Sequence, residues 1–587
     1  MAFLVFFGFI IAISWWLETK RKRREARQRT AVELEHGRRE GLPSPGTAIG
    51  RKAREIAEAQ EQKLREPPPV HGTARWGCVD DVAALIASPV VPGRGLYLGE
   101  LMDGDHTTGH PLVARYPGHL LTVAPTGQGK SATQIVENLR RYSGSVVVLD
   151  PKGELYDLTA RHRRRFGKVY RLAPFAQPGE PPSDHYNPLD ELGGVRERGA
   201  RARLLAEMLV VRQSDKGAAD AGFWENEAVN LLTLLIMGVV EMSEEARKFD
   251  IEASANLSEV QRLCCLPLLG DRPERDPNVP EYFEDTLKLM SSDTFGPLVR
   301  RQAGSFYGRE RKLLSSFLSE INSNLAFFDG HPGFAEVSAK SDFQFSDLAA
   351  NPGTTVYLTI PLKETHTSFR YLRAMIGCAF SALQEQRDAH EASVLFILDE
   401  FAALRDMPFM RDAVAQMRSS GAWFWFFVQD VAQLEGVYQR WADVFLSQTD
   451  HQVFFGATLD AKTKKHVSSA LGVTTFPYRD PNLSWTHSIG VNDSDTATPI
   501  QLGGFGEGRN TSQSINITEP VVLAPRPLLT PFEVGTYLGA REPGETHPST
   551  TIILSKQAGG YPLKARRRHW RSLTTSLPSS SQIGARS

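Results

Sequence analysis

The stretch Leu121–Thr133, "LTVAPTGQGKSAT", constrains the fold of this chain more than any other. It sets a glycine-rich loop between an apolar strand candidate, "HLLTVA" at 119–124, and a helix-like run, "KSATQIVENLRRY". In such a loop consecutive backbone N–H groups point inward and bind phosphate oxygens at a helix N-terminus. The pattern G-x-x-x-x-G-K-[ST] would put glycine at position 124, and the chain has Ala124. A small residue suffices there if its φ is negative, since only a positive φ demands glycine. The expected nucleotide-binding set is Thr126, Gly127, Gln128, Gly129, Lys130, Ser131 and Ala132. Lys130 would reach the β- and γ-phosphates and Ser131 would bind Mg²⁺, so the expected ligands are ATP and Mg²⁺.

A second segment supplies the groups for hydrolysis. "VLFILDEFAAL" at 394–404 is an apolar strand ending in Asp399–Glu400. A strand of that composition is buried, so carboxylates at its C-terminal end need water, metal or cations. Ligands of open α/β sheets bind at those strand ends. Asp399 is expected to hold the Mg²⁺ water shell and Glu400 to polarise the attacking water. Gln429, which ends "WFWFFV", is either a strand-cap amide or a group that reports hydrolysis to the fold. Arg418, in "QMRSSGA", is either a solvated helix-end cation or a finger reaching a neighbouring subunit. In "LDPKGELYDLTA" (149–160), Asp150 ends another strand, and spacing alone gives Lys152 and Glu154 no role.

The wider pattern predicts an α/β fold. "SVVVLD", "TTVYLTI", "VLFILD", "WFWFFV" and "HQVFFGA" read as strands separated by helical segments, which indicates a parallel sheet covered by helices. Residues 200–330 differ: "ARARLLAEMLV", "GFWENEAVNLLTLLIMGVVEM", "LSEVQRLCCLPLL", "PEYFEDTLKLM" and "RERKLLSSFLSEINSNLAFF" repeat apolar residues at helical steps. The second of these begins with Glu225, Glu227 and Asn230, which favours a core helix over a membrane span. Adjacent Cys264 and Cys265 read as buried thiols, and none of the four cysteines has C-x-x-C spacing, which argues against a metal cluster. Residues after Lys556, ending "SLTTSLPSSSQIGARS", read as a polar, unfolded tail.

The N-terminus, "MAFLVFFGFIIAISWWL", is apolar and is followed by the basic run "ETKRKRREARQR". At 1.5 Å per residue it reaches about 25 Å, enough for a thin hydrocarbon core. Charges after the apolar run are the reverse of a secretory signal, and the positive-inside rule puts the rest of the chain in the cytoplasm. The expectation is a single-pass protein of the inner membrane. The formal net charge of −1 means that any nucleic-acid surface must be local.

Taken with "HGTARWG", "YNPLDEL", "FWENEAVNLL", "TTVYLTIPL", "FFVQDVAQLEGVYQ" and "RPLLTPFEV", these motifs resemble the conjugative coupling proteins of type IV secretion systems. The resemblance runs from about 71 to 569, and "DPKGELYDLTA" is its most specific part. It implies a RecA-like P-loop domain interrupted by an all-helical domain, assembled as a homo-hexamer with ATP at subunit boundaries. It implies catalytic roles for Lys130, Glu400, Gln429 and Arg418, and Mg²⁺ contacts from Ser131 and Asp399. The implied partners are single-stranded DNA with an attached relaxase, the type IV secretion channel and inner-membrane lipid. Members usually have two N-terminal spans, and this chain shows one, so an upstream span is missing or the anchor is simplified. The expected division is an anchor at 1–17, a basic helix and linker at 18–70, a nucleotide-binding domain at 71–199 and 336–569, a helical insertion at 200–335 and a tail at 570–587. Two other cargoes fit less fully: effector proteins fed to the same channel, or double-stranded DNA moved by a translocase of the chromosome-partitioning kind.

Overall fold

The computed structural model describes residues 48–86, 95–114, 118–211, 219–269, 279, 281–384, 394–416, 421–492, 510–518, 520–541 and 548–573. The anchor expected at 1–17 and Arg418 lie outside these residues. The chain divides into two compact units. One takes in the chain up to Ala74 together with Gly472–Leu528, and the other takes in Arg75–Leu471 and the chain from Leu529.

In chain order, β1 (Leu96–Asp103) and β2 (His106–Ala114) form a hairpin, and β3 (Leu120–Val123) leads into the glycine loop. β4 (Val146–Leu149) and β5 (Val169–Leu172) follow. Beyond the helical region come β6 (Thr355–Leu358), β7 (Val394–Leu398), β8 (Ala422–Val428) and β9 (His451–Phe454). The smaller unit carries β10 (Val473–Arg479), β11 (Ser484–Asn492), β12 (Asn510–Thr518) and β13 (Val521–Pro527). β14 (Thr550–Ser555) and β15 (Leu563–Arg566) return to the larger unit.

The larger unit is organised by an eleven-stranded sheet in the order β2-β1-β15-β14-β9-β3-β8-β7-β4-β6-β5. From β9 to β5 the neighbouring strands are parallel, and from β9 to β2 they are antiparallel. β8, "AWFWFFV", is buried at every residue and has parallel neighbours on both edges, as expected of a central strand in a parallel sheet. Each fully buried Phe there contributes roughly 1.5–3 kcal/mol. This strand density forces β3, β7 and β8 into register, with Val123 beside Val428 and Leu398 beside Phe426. The ends of the site-bearing strands are thereby brought side by side.

From Val195 to Ala350 every described element is helical. Its centre is the helix Ala219–Arg247, packed on Val195–Leu209 and Arg311–Leu325. Residues Gly222–Arg247 are long and apolar enough to cross a membrane, but Leu231, Leu232, Leu234, Leu235 and Ile236 are fully buried within the unit. The helix Leu257–Cys264 buries Cys264 and ends there, which leaves Cys265 exposed, against the reading of both as buried thiols.

Two sequence readings are corrected. The chain after Lys556 is not all tail: β15 sits inside the sheet with Leu563, Ala565 and Arg567 buried, and Trp570–Leu573 is helical. Its apolar residues are too few to register as a strand until β1 and β14 flank it. Nor does 336–569 stay in one unit. Gly472–Leu528 takes no part in the eleven-stranded sheet, and β10 and β13 pair with each other beside the helix Ala48–Arg65. Within that small unit Val521 N–H donates to Gln60 Oε1 at 2.8 Å, and Arg479 pairs with Glu61 at 2.6 Å.

Candidate nucleotide site

The glycine loop follows β3 as the sequence predicts. Ala124 is fully buried, lies outside the positive-φ set, and donates its N–H to the Val428 carbonyl at 3.0 Å. The residue in place of the expected glycine therefore extends the pairing with β8 by one hydrogen bond and needs no left-handed backbone. Gly127 and Gly129 have φ of 75° and 82°. A Cβ on Gly127 would meet nothing within 4 Å, so its requirement is conformational rather than spatial. The helix opens with a π-turn, Ser131–Ile135, before continuing as α-helix from Val136. Such turns recur at functional sites because they redirect the first backbone groups.

Three distant groups hold the loop. Ala457 N–H donates to Gln128 Oε1 at 3.3 Å, so the Gln128 side chain faces the segment after β9. Gly456, at φ 115°, lets that segment approach: a Cβ there would stand 2.7 Å from Pro125 Cδ and 3.0 Å from Gln128 Cγ. Beneath the loop, Thr133 Oγ1 donates to the Gly129 carbonyl at 2.8 Å and accepts from Arg567 Nη1 at 2.6 Å. Arg567 is 2% exposed and lies over the Phe455 ring. Sequence reasoning missed Arg567, Thr133 and Gly456. An arginine in the middle of the run Arg566–Arg568 carries no motif, so only its burial identifies it.

Asp399 and Glu400 end β7 and face the loop. Lys130 Nζ lies 3.4 Å from Glu400 Oε1, and Gln429 Nε2 donates to Glu400 Oε2 at 3.1 Å. One carboxylate thus connects the loop lysine with the end of β8. Glu400 has a left-handed backbone, φ 57° and ψ 46°, uncommon for a residue with a side chain. Asp399 is half-buried, and its buried Oδ1 has no hydrogen-bond partner among the described residues. Burial pushes its carboxyl up to about 6; the Glu400 charge adds to this, while Lys130, Lys152 and the Glu400 N–H oppose it. Asp150, at the end of β4, is also raised to about 6 by burial, against hydrogen bonds from the backbone of Tyr156 and Leu155.

Thr126, Gly127, Gly129, Lys130, Ser131, Ala132, Asp399 and Glu400 line a single cleft of about 210 Å³, joined by Pro151, Lys152 and Leu362. Lys152 gains a place that spacing could not assign: it brings a second cation to the Asp399 side of the cleft. Gln429 joins through Glu400. Among the described residues no group of three or more His, Cys, Asp or Glu could hold a metal by side chains alone. A cation here would rest on phosphate oxygens, hydroxyl and water as well as on Asp399.

Comparison with known proteins extends the reading. A family model described as type IV secretory system conjugative DNA transfer matches residues 80–572. Protein VirD4 of Rhizobium radiobacter is 26% identical over 448 residues, 73% of this chain and 59% of that protein. Conjugal transfer protein TraG of Escherichia coli is 26% identical over 528 residues, 84% of this chain and 75% of that protein. The chain thus spans under two thirds of the length of VirD4. Among solved structures, the bacterial conjugative coupling protein TrwBΔN70 in complex with sulphate aligns with TM-score 0.51 at 15% identity, covering 82% of this chain and 96% of that one. TrwB in complex with the ATP analogue ADPNP aligns with TM-score 0.50 at 16% identity, covering 83% and 96%. The fold is accordingly RecA-like.

Proposed function

The chain belongs to the type IV secretory system conjugative DNA-transfer family, and from that premise we propose that it is a membrane-anchored, ATP-hydrolysing coupling protein. It receives a relaxase-bound single strand of DNA and drives it into a secretion channel. The observation that carries the reading is the Lys130–Glu400–Gln429 constellation beside the unpartnered Asp399.

ATP fits the cleft on two grounds. Gly127 leaves open space where a Cβ would stand, and Lys130 faces it from the loop. Mg²⁺ fits because Asp399 Oδ1 is buried without a partner and Ser131 lines the same cleft. When bound, Mg²⁺ neutralises charge developing on the β- and γ-phosphate oxygens. In this reading the loop N–H groups and Lys130 bind the phosphates. Glu400, held by Gln429, orients and polarises the attacking water. Gln429 carries the change at Glu400 into the segment after β8. Arg418 acts on the site of an adjacent copy in a homo-hexamer. We assign residues 1–17 to an inner-membrane anchor, with the bulk of the chain in the cytoplasm. Residues 200–335 form the helical domain that meets cargo and channel components.

The test is ATP turnover of the full chain in detergent, with and without single-stranded DNA at low salt. Lys130→Ala is expected to lose nucleotide binding. Glu400→Gln is expected to keep ATP and lose turnover by roughly 10²-fold or more. Near-normal turnover in Glu400→Gln removes Glu400 from its role. An ATPase indifferent to DNA at low salt refutes the DNA cargo.

A further inference from the structure

Arginines gather at a second place, outside the nucleotide cleft. The guanidinium carbons of Arg405 and Arg370 lie 4.5 Å and 4.7 Å from the centre of the Phe369 ring. Arg405 Nη2 is 3.4 Å from His366 Nε2, and Arg370 Nε donates to Asn324 Oδ1 at 2.9 Å. Beneath them the buried Arg373 donates to the carbonyls of Met208, Leu404 and Asp406. Of the nearby carboxylates, Asp406 is held by Arg411, and Glu320 accepts from Asn324 Nδ2 at 3.0 Å and reaches Arg370 through its charge. The hydrogen bonds described for Arg370, Arg373 and Arg405 therefore all go to neutral acceptors. Burial first, and the Arg405 charge second, lower the Arg370 pKa, against the charge of Glu320. Arg405 and His366 are exposed and Arg370 half-buried, so the group opens to solvent.

The backbone ties this cluster to the cleft. Arg405 has φ 57° and ψ −168°, a conformation that is essentially glycine's alone and persists only where its surroundings over-determine it. Glu400 and Arg405 bracket a single turn, Phe401–Leu404, so two left-handed side-chain-bearing residues stand at its two ends. Both ends are fastened to the segment after β8. Gln429 Nε2 donates to Glu400 Oε2 at 3.1 Å, and Tyr438 Oη donates to the Arg405 carbonyl at 3.3 Å. Phe401 stacks on Tyr438 between them, 5.5 Å between centroids and 12° between planes. The closed loop from Glu400 to Arg405 and back through Tyr438 to Gln429 makes displacement at one end felt at the other.

We propose that Arg405, Arg370 and His366 form a second phosphate-binding site whose occupancy is transmitted to Glu400 through the Phe401–Leu404 turn. The inference rests on the functional reading above. One exposed and one half-buried guanidinium beside an exposed imidazole suit a tetrahedral oxyanion. The phosphate comes either from the backbone of the moved strand or from the nucleotide of an adjacent copy.

The test uses the full chain in detergent, a fluorescent single-stranded oligonucleotide, and anisotropy at several salt concentrations, together with ATP turnover. Arg405→Ala is expected to weaken oligonucleotide binding several-fold, to lower the salt slope by about one, and to remove most oligonucleotide-stimulated turnover. If the phosphate is an adjacent copy's nucleotide, oligonucleotide affinity holds, turnover without DNA falls, and mixing with Lys130→Ala partly restores it. Either pattern supports the site and identifies its source. Unchanged affinity, salt slope and turnover overturn it. Should Arg405→Ala fail to fold, Arg370→Ala and His366→Ala must shift the same readouts, and their silence overturns the site equally. If the unmutated chain neither binds the oligonucleotide nor turns over ATP, the functional reading fails and this inference with it. If it does both and the variants match it, only this inference fails.

Discussion

Asp150 and Asp399 end adjacent parallel strands, and burial raises both carboxyls to about 6. For Asp150 the folded value lies above the ordinary 3.8, so its protonated form is the one the fold favours. Its stabilising contribution is complete below 3.8 and is lost as pH rises through 6. Asp150→Asn keeps an acceptor for the Tyr156 N–H and removes the charge. It is expected to stabilise the nucleotide-free chain at pH 8 by on the order of 1–3 kcal/mol, and hardly at all near pH 4. Thermal melts of both proteins at the two pH values check this, and equal melting points at pH 8 refute it. Single residues also show where sequence reading stops. Lys130, Asp399 and Glu400 are legible because each sits at a fixed offset in a short motif. Lys152 is quoted in a motif, yet its role appears only when β4 is laid beside β7.

The glycine loop is an element that its neighbours finish. Strand and helix on either side are readable from apolar periodicity, but the loop's shape also depends on Gly456, Ala457, Thr133 and Arg567. Gly456→Ala adds a Cβ 2.7 Å from Pro125 at a backbone angle that disfavours it. The loop must give, and nucleotide affinity is expected to fall about five- to ten-fold, equivalent to roughly 1–1.4 kcal/mol. Titration with a fluorescent ATP analogue measures it; unchanged affinity with a normal melt would show that the contact carries no weight. The long helices of the insertion were equally legible, since an amphipathic or buried helix announces itself at three- and four-residue steps. The short strands β5, β10, β13 and β15 were not, because runs of four to seven residues, several broken by Pro, Arg or Lys, do not stand out from loop.

At the scale of the molecule, the sheet closes late. β14 and β15 lie between β9 and β1, so the last described segment joins the hairpin at one edge to the parallel strands. A chain ended after residue 548 would leave the β9 edge bare and detach β1 and β2. It is expected to lose cooperative unfolding and nucleotide binding, whereas a chain ended after residue 573 keeps both. Circular dichroism melts of the two truncations decide this, and a cooperative melt in the shorter one would show that the antiparallel strands are dispensable. The sequence by itself determined which residues the expected chemistry would use. A glycine-rich loop and a strand-end acid pair are built from contiguous residues, and the strands and helices around them carry their own periodicity. Only the tertiary structure decided which groups meet: Glu400 between Lys130 and Gln429, Arg567 under Thr133, Arg405 beside Arg370. Those meetings are set by strand order and register across hundreds of residues, and such contacts leave no local pattern to be read.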